Sequence, residues 1–175
     1  MKKLGLFIVL LCFVLVGITG CDLPSMSSVD AQKTTAMEQE DAITIGGSGS
    51  TEKYKITLTG AKTYTEISNN QYIKDTADEG KEFVVLFFDA SNISSEDDYL
   101  NRLYFSAYAD STSVDQAVLF SSPDDYGCLT GDLAAGKNMT GYLAWEVNKG
   151  WKELEVQYKE MTGGKIVFKV QADEI

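Results

Sequence analysis

From residue 51 to the end of the chain, apolar and polar residues alternate in several short runs. The alternating runs are residues 54–58, 151–158 and 165–170. A period of two puts successive side chains on opposite faces of a strand, so these runs predict half-buried β-strands. The run 83–88 (FVVLFF) is apolar throughout and predicts a central strand covered on both faces. Runs 103–109 and 139–147 predict two more strands, and 114–120 is a weaker candidate.

Turn-forming residues separate these runs, for example at 78–80, 121–125 and 135–138. About seven or eight strands without a long helical pattern predict an all-β fold, an immunoglobulin-like antiparallel β-sandwich over residues 51–175. The inward-facing positions of the strands predict the core, although the alternation leaves open which face of 83–88 points inward. The predicted core residues are Ile56, Leu58, Val85, Phe87, Leu143, Trp145, Val147, Leu154, Val156, Ile166 and Phe168.

The first 21 residues have the layout of a lipoprotein signal peptide. Lys2 and Lys3 precede an apolar run from Leu4 to Val16, and small residues then lead to Cys21. Residues 18–21 (ITGC) resemble the bacterial lipobox, which implies cleavage before Cys21 and transfer of a diacylglyceryl group to its sulfur. We therefore expect residues 1–20 to be a signal peptide and Cys21 to carry the lipid of an extracytoplasmic, membrane-anchored protein. The alternative is that the apolar run stays uncleaved as a membrane anchor.

The segment that follows, residues 21–50, is predicted to be a flexible acidic tether. Its residues 22–50 include no aromatic side chain, are rich in Ser, Thr and Gly, and carry five acids against one lysine. Such a composition cannot bury enough apolar surface to fold by itself. A flexible coil of this length would hold a folded domain roughly 30 Å from the membrane surface.

The net charge, the lack of histidine and the small number of cysteines exclude several classes of partner and chemistry. The chain has 26 acidic and 15 basic residues and a net charge of −11, which argues against nucleic acid as a partner. It has no histidine, so histidine-dependent catalysis and histidine-ligated metals are excluded. Cleavage would remove Cys12, and lipid would modify Cys21, which leaves only Cys128 in the folded part. No internal disulfide is then expected, and Cys128 is either buried and inert or a lone exposed thiol.

Two segments carry a resemblance to a known family. Residues 80–92 (GKEFVVLFFDASN) form a predicted strand that runs into Asn92, and residues 133–147 (LAAGKNMTGYLAWEV) form a Gly-led turn and a strand. With the last two strands, they resemble a bacterial extracellular lipoprotein domain of telokin-like, immunoglobulin-like fold whose function is unassigned. The resemblance spans most of residues 52–172 and implies the fold. It implies no catalytic residue. One departure from the family pattern is that the proline that often follows the second strand is absent here.

Two acidic loops are candidate cation sites. Residues 96–98 (EDD) lie in a loop with Asn92, and Asp124 and Asp125 lie in another loop with Asp132 nearby. Calcium prefers six to eight oxygen ligands, so weak calcium binding is one hypothesis. Neither loop has EF-hand spacing, and the competing interpretation is a solvated loop that binds no metal.

Two further patterns suggest enzymes but lack the rest of the required machinery. Residues 50–53 (STEK) match the Ser-x-x-Lys motif of penicillin-recognising enzymes, but the companion SDN and KTG motifs are absent. Glu153 and Glu155 share one strand face as in a carboxylate pair of a glycosidase, but the pattern places them at the surface. We therefore predict no catalytic residue, no metal site and no bound cofactor.

Aromatic side chains are the remaining candidates for binding, because Tyr and Trp stack on sugars and anchor protein contacts. The candidates are Trp151, Tyr99, Tyr104, Tyr108 and Tyr126, and the competing interpretation is packing within the sandwich. The sequence thus predicts a non-enzymatic, lipid-anchored module that binds a protein or a cell-envelope component. The alternative is a module that binds a small ligand such as a saccharide or calcium.

Overall fold

The computed structural model describes residues 42–69, 71–161 and 163–175. The predicted signal peptide, Cys21 and the tether up to residue 41 lie outside the described residues. The described part of the chain forms twelve β-strands and three short 3₁₀ turns. The strands are β1 (Ser48–Ser50), β2 (Tyr54–Tyr64), β3 (Glu66–Ser68), β4 (Lys74–Thr76), β5 (Lys81–Asn92), β6 (Asp98–Leu100), β7 (Phe105–Ala109), β8 (Thr112–Val114), β9 (Gly131–Leu133), β10 (Asn138–Asn148), β11 (Glu153–Lys159) and β12 (Lys165–Gln171). Within these described ranges, no helix is long and apolar enough to cross a membrane.

Two four-stranded antiparallel sheets make up the framework. The first has the order β1-β2-β5-β10 and the second has the order β12-β11-β7-β8. Two small two-stranded antiparallel sheets, the hairpin β3-β4 and the non-consecutive pair β6-β9, accompany them. Residues of both sheets meet in one buried cluster, where the Phe88 ring lies 5.4 Å from Phe168 and 5.8 Å from Phe105. The predicted all-β antiparallel sandwich is confirmed.

Strand β5 is buried on both faces, as its uninterrupted apolar run predicts. Val84, Leu86 and Phe88 point into the main core between the sheets. Val85 and Phe87 belong to a second core on the opposite face of the first sheet, where Ile67 of β3 and parts of the segment 115–130 cover them. All of the predicted core residues are buried, each at most 6% exposed. Two of them, Val85 and Phe87, therefore fill the second core and not the main one.

The folded part begins earlier than residue 51, the boundary predicted from composition. Ile43 pairs with Phe168 of β12, and β1 pairs with residues 55–57 of β2. Glycine permits this packing at position 49, because a Cβ there would lie 2.4 Å from Ile166 Cγ2. Residues 42–50 are thus part of the sandwich and not of a free tether.

The weak strand prediction for 114–120 is correct only at its start. Val114 ends β8, and Gln116 makes a single bridge to Trp145 of β10. Beyond that bridge the segment leaves the sheet, and Val118 and Phe120 are exposed to solvent. The predicted strand 103–109 begins two residues later than expected, because residues 102–104 form a 3₁₀ turn before β7.

Candidate functional site

A buried asparagine organises the first acidic loop. Asn92 ends β5 with only 1% of its surface exposed. Its side-chain Nδ2 donates to the carbonyl oxygens of Leu133 and Glu96, both at 2.8 Å. Its Oδ1 accepts from the backbone N–H of Ser94 at 3.0 Å and from the Ser94 hydroxyl at 2.7 Å. The asparagine noted in the sequence therefore has a structural role, because it ties the loop after β5 to β9.

Two carboxylates of that loop, Asp97 and Asp98, are bound by protein groups. Asp97 accepts from the backbone N–H of Ala135 at 2.9 Å. Asp98 binds the Lys53 ammonium at 2.8 Å, and this hydrogen bond lowers the pKa of the Asp98 carboxyl. In the other acidic loop, Asp124 binds Lys62, and the hydrogen bond from Lys62 lowers the pKa of the Asp124 carboxyl. Across the described ranges, no three acidic or cysteine side chains converge as metal ligands.

The pair Glu153 and Glu155 lies beside a lysine. Lys169 Nζ is 3.0 Å from Glu153 Oε1 and 3.3 Å from Glu155 Oε2. Hydrogen bonds from Gln171 and Lys169 lower the pKa of Glu153. A glycosidase needs one carboxyl with a raised pKa to protonate the leaving group. The pKa of Glu153 is shifted in the opposite direction, and both carboxylates lie beside Lys169, so the three side chains form a surface ion-pair cluster.

The lysine of the Ser-x-x-Lys pattern is also engaged elsewhere. The hydrogen bond from Lys53 to Asp98 raises the pKa of the Lys53 amine. A raised pKa keeps the amine protonated, whereas a catalytic base in this motif must be able to accept a proton. The pattern at residues 50–53 therefore does not form the site that the motif describes.

The aromatic candidates divide between core and surface. Trp151 is buried, and its indole Nε1 donates to Glu82 Oε1 at 3.0 Å, so for this residue the interpretation as packing within the sandwich is correct. Tyr99 and Tyr126 are exposed, as a binding role requires. Tyr104 and Tyr108 are half-buried. Cys128 is half-buried as well, and it packs against both cores with no disulfide.

Four tyrosines come together with charged groups around a small cavity. We call it the tyrosine cavity, and its lining comprises Lys53, Tyr54, Asp98, Tyr99, Tyr104, Tyr158, Glu160 and Met161. Its volume is about 110 Å³. The Tyr54 and Tyr158 rings meet edge to face at 6.1 Å. Burial, reinforced by the negative charges of Asp98 and Glu160, raises the pKa of both tyrosines, so both hydroxyls stay neutral.

An exposed group of apolar side chains lies at a different place on the molecule. We call it the apolar patch, and it comprises Tyr72, Ile73, Val118 and Phe120. The two chain segments that carry them are joined by hydrogen bonds, because the backbone N–H of Phe120 donates to Asp75 at 3.0 Å and the Ser121 hydroxyl donates to the Ile73 carbonyl at 3.3 Å. Phe120 is 82% exposed and Val118 is 60% exposed. The sequence does not indicate this patch, because residues 114–120 resemble a strand, and the apolar residues of a strand are expected to pack within a sheet.

Solved structures with similar folds come from several bacteria. A candidate lipoprotein of Bacillus subtilis, ycdA, is 14% identical with a TM-score of 0.57, and the match covers 72% of this chain and 38% of that protein. The yjhA protein of Bacillus subtilis is 16% identical with a TM-score of 0.57, covering 73% of this chain and 98% of that one. A conserved hypothetical protein of Bacillus anthracis is 14% identical with a TM-score of 0.53, covering 74% and 94%.

Because all the sequence identities are low, these likenesses establish the fold alone. The chain spans well under half of the length of ycdA, the first of these proteins. No curated protein matches the chain. A family model for a domain of unknown function, DUF5067, matches residues 27–160. This match confirms the predicted resemblance to a domain whose function is unassigned. Since that range is well over half of the chain, the protein belongs to the DUF5067 family.

Proposed function

We propose that this protein is a lipid-anchored, extracytoplasmic module that binds a protein or cell-envelope component without catalysing a reaction. Anchoring is supported by the lipobox-like residues 18–21 and by the shared fold of a candidate lipoprotein. A non-catalytic role is supported by the geometry of the candidate groups. Lys53, Asp98 and Glu153 all have pKa values shifted toward their charged forms, which suits ion pairs and not proton transfer.

The apolar patch is the observation that carries the binding role. Large apolar side chains that are grouped at the surface mark contact sites for other molecules, whereas isolated ones are common and need no explanation. The backbone N–H groups of Phe120 and Ser121 donate to Asp75, which fixes the loop that presents the exposed Phe120 ring. An aromatic anchor surrounded by aliphatic groups is the usual centre of a protein interface.

Replacing Cys21 with serine is expected to release the protein from the membrane. The serine hydroxyl cannot accept the diacylglyceryl group in the thioether linkage, so the chain would lose its acyl anchor. The measurement is the distribution of the full-length protein between membrane and soluble fractions, with incorporation of labelled fatty acid as a second readout. Cys12→Ser is the matched control, and it should leave both readouts unchanged. Equal membrane association of the Cys21→Ser protein would refute lipid anchoring and leave an uncleaved anchor as the explanation.

Photocrosslinking tests the apolar patch in intact cells. A photoreactive phenylalanine in place of Phe120 is expected to crosslink one defined partner in the envelope. The same group in place of Ile93, which is also exposed but lies outside the patch, is the control position. Val118→Asp in the Phe120-labelled protein should abolish the crosslink, because a charge in an apolar contact is strongly unfavourable. Equal crosslinking from both positions, or a crosslink that survives Val118→Asp, would mean that the patch is not the binding surface.

A further inference from the structure

A polar depression lies on the outer face of the second sheet, the face that points away from the main core. It has a volume of about 260 Å³, and its lining comprises Tyr108, Ser111, Glu153, Glu155 and Gln157. Strand pairing brings these residues together, because Tyr108 of β7 lies directly opposite Glu155 of β11, and the turn between β7 and β8 carries Ser111. We call this feature the outer-face depression. It shares no residue with the apolar patch or with the tyrosine cavity.

Tyr108 contributes an aromatic ring to the outer-face depression. The alternation along β7 buries Phe105 and Ala107 in the main core and turns Tyr108 to the outer face, where it is half-buried. Among the described residues, no other aromatic ring packs against Tyr108. The apolar C–H face of a sugar ring packs well on such an aromatic face. Tyr108, a candidate for binding from the sequence, is thus placed for this kind of contact.

The two carboxylates beside the ring are held in fixed positions by their neighbours. Glu153 accepts from Lys169 at 3.0 Å and from Gln171 at 2.9 Å. Glu155 accepts from Gln157 Nε2, and its other oxygen lies 3.3 Å from Lys169 Nζ. A carboxylate oxygen can accept two hydrogen bonds, so each of these oxygens keeps one acceptor position for a ligand. The depression is therefore a fixed array of hydrogen-bond acceptors next to an aromatic ring.

The charges of this face select against several classes of ligand. Glu153 and Glu155 contribute two negative charges and Lys169 contributes one positive charge, so the face disfavours an anion. Lys169 already lies beside both carboxylates and occupies the position that a cation would take. Across the part of the chain that the structure describes, no three acidic side chains converge to hold a metal ion. A complementary ligand therefore donates hydrogen bonds without carrying a charge.

We propose that the outer-face depression binds one neutral pyranose unit of a cell-envelope saccharide. Tyr108 stacks on the C–H face of the sugar ring, and the carboxylates of Glu153 and Glu155 accept hydrogen bonds from its hydroxyl groups. The depression has the volume of about nine molecules of liquid water, which suits a single sugar ring. This site is separate from the apolar patch, so it adds a second contact and does not depend on the first.

The experiment is ligand-observed NMR, by saturation transfer from the purified full-length protein. The probes are the methyl glycosides of glucose, galactose, mannose and N-acetylglucosamine. At least one is expected to bind with a dissociation constant on the order of 1–10 mM, because a single sugar ring offers few contacts. The strongest transfer should reach the ring C–H protons that stack on Tyr108. Tetrahydropyran-2-methanol, which lacks neighbouring hydroxyls, and methyl glucuronide, which adds a carboxylate, are the controls and should show no transfer.

Two variants locate the site, and each has a matched control. Tyr108→Val removes the ring but keeps a good strand former, and it is expected to weaken binding about tenfold or more. Its control is Tyr99→Val, because Tyr99 is an exposed tyrosine of another strand. Glu155→Gln removes the charge but keeps the shape, and it is expected to weaken binding about threefold to tenfold. Its control is Glu66→Gln, because Glu66 also binds a surface lysine.

Both controls should bind as the unchanged protein does, and a thermal unfolding midpoint within a few degrees shows that each variant is folded. Unchanged binding in Tyr108→Val and Glu155→Gln would place the sugar elsewhere on the protein. Equal transfer to tetrahydropyran-2-methanol would show a merely apolar contact, and equal transfer to methyl glucuronide would show that the carboxylates do not form the site. Absence of transfer from all four glycosides at about 100 mM would refute the proposal, because that concentration is well above the expected dissociation constant. None of these results bears on crosslinking from Phe120.

Discussion

Replacing Trp145 with alanine is expected to lower the free energy of unfolding by about 3–5 kcal/mol, the usual cost of deleting a large buried aromatic side chain. Trp145 is fully buried in the main core, in the strand β10 that pairs with β5. Its backbone lies opposite Val84 on one side and bridges to Gln116 on the other. The substitution would therefore leave a large cavity in the main core between the two sheets.

Chemical denaturation measures this effect, because Trp151 is still present as the fluorescent reporter in the Trp145→Ala protein. Leu103→Ala is the matched control, since Leu103 is a large apolar residue that is 76% exposed. Its free energy of unfolding should stay within about 0.5 kcal/mol of the unchanged protein. A loss below about 1 kcal/mol for Trp145→Ala would show that the core collapses around the missing ring and is not rigidly packed.

The strands of the sandwich were predictable because burial forces a period of two onto the sequence. In β11 and β12 every second residue is apolar and buried in the core, and the residues between them, which are polar except for Val167, face outward, as the alternation indicates. In β5 the lack of alternation was equally informative, since both faces are covered. The pattern could not assign its residues to the two cores, because either face of an apolar strand can point inward.

Strand β1 shows where this reasoning fails. Its three residues, Ser-Gly-Ser, carry no apolar alternation, and composition therefore assigned them to the tether. They form a strand because backbone pairing with β2 supplies hydrogen bonds, and because Gly49 leaves room for Ile166 and Ile43. Such a strand is specified by its tertiary neighbours and not by its own residues.

The candidate site was less accessible to sequence reasoning than the fold. The sequence shows acidic residues that are neighbours along the chain, but it does not show what binds their carboxylates. In the structure, Lys53, Lys62 and the Ala135 N–H bind three of them. The tyrosine cavity combines residues from position 53 to position 161, and Glu160 carried no local signal. Its burial depends on the turn after β11 and on Thr51, which only the folded chain brings together.

Replacing Asn92 with leucine is expected to cost about 2–4 kcal/mol of unfolding free energy, since a buried carbonyl or N–H that loses its partner costs about 1–3 kcal/mol. The groups at risk are the Leu133 and Glu96 carbonyls and the Ser94 N–H, all bound by the Asn92 amide. This cost should not vary with pH between about 4 and 7, because leucine does not titrate. Denaturant unfolding at both pH values measures it.

Asn92→Asp separates hydrogen bonding from simple packing, because aspartate has nearly the same shape as asparagine. At pH 7 its carboxylate would replace the Nδ2 donor and face two carbonyl oxygens at 2.8 Å, which together with burial should raise the pKa of the new carboxyl. A raised folded-state pKa means that the penalty is smallest below the unfolded value of about 4 and grows as pH rises above it. At low pH the carboxyl is protonated and can donate a hydrogen bond to one of the two carbonyls. We therefore expect Asn92→Asp to approach the unchanged protein near pH 4 and to lose stability toward pH 7, in contrast to Asn92→Leu. A penalty of equal size at both pH values would mean that the loop opens and hydrates the carboxylate, so that Asn92 does not hold β9 to the end of β5.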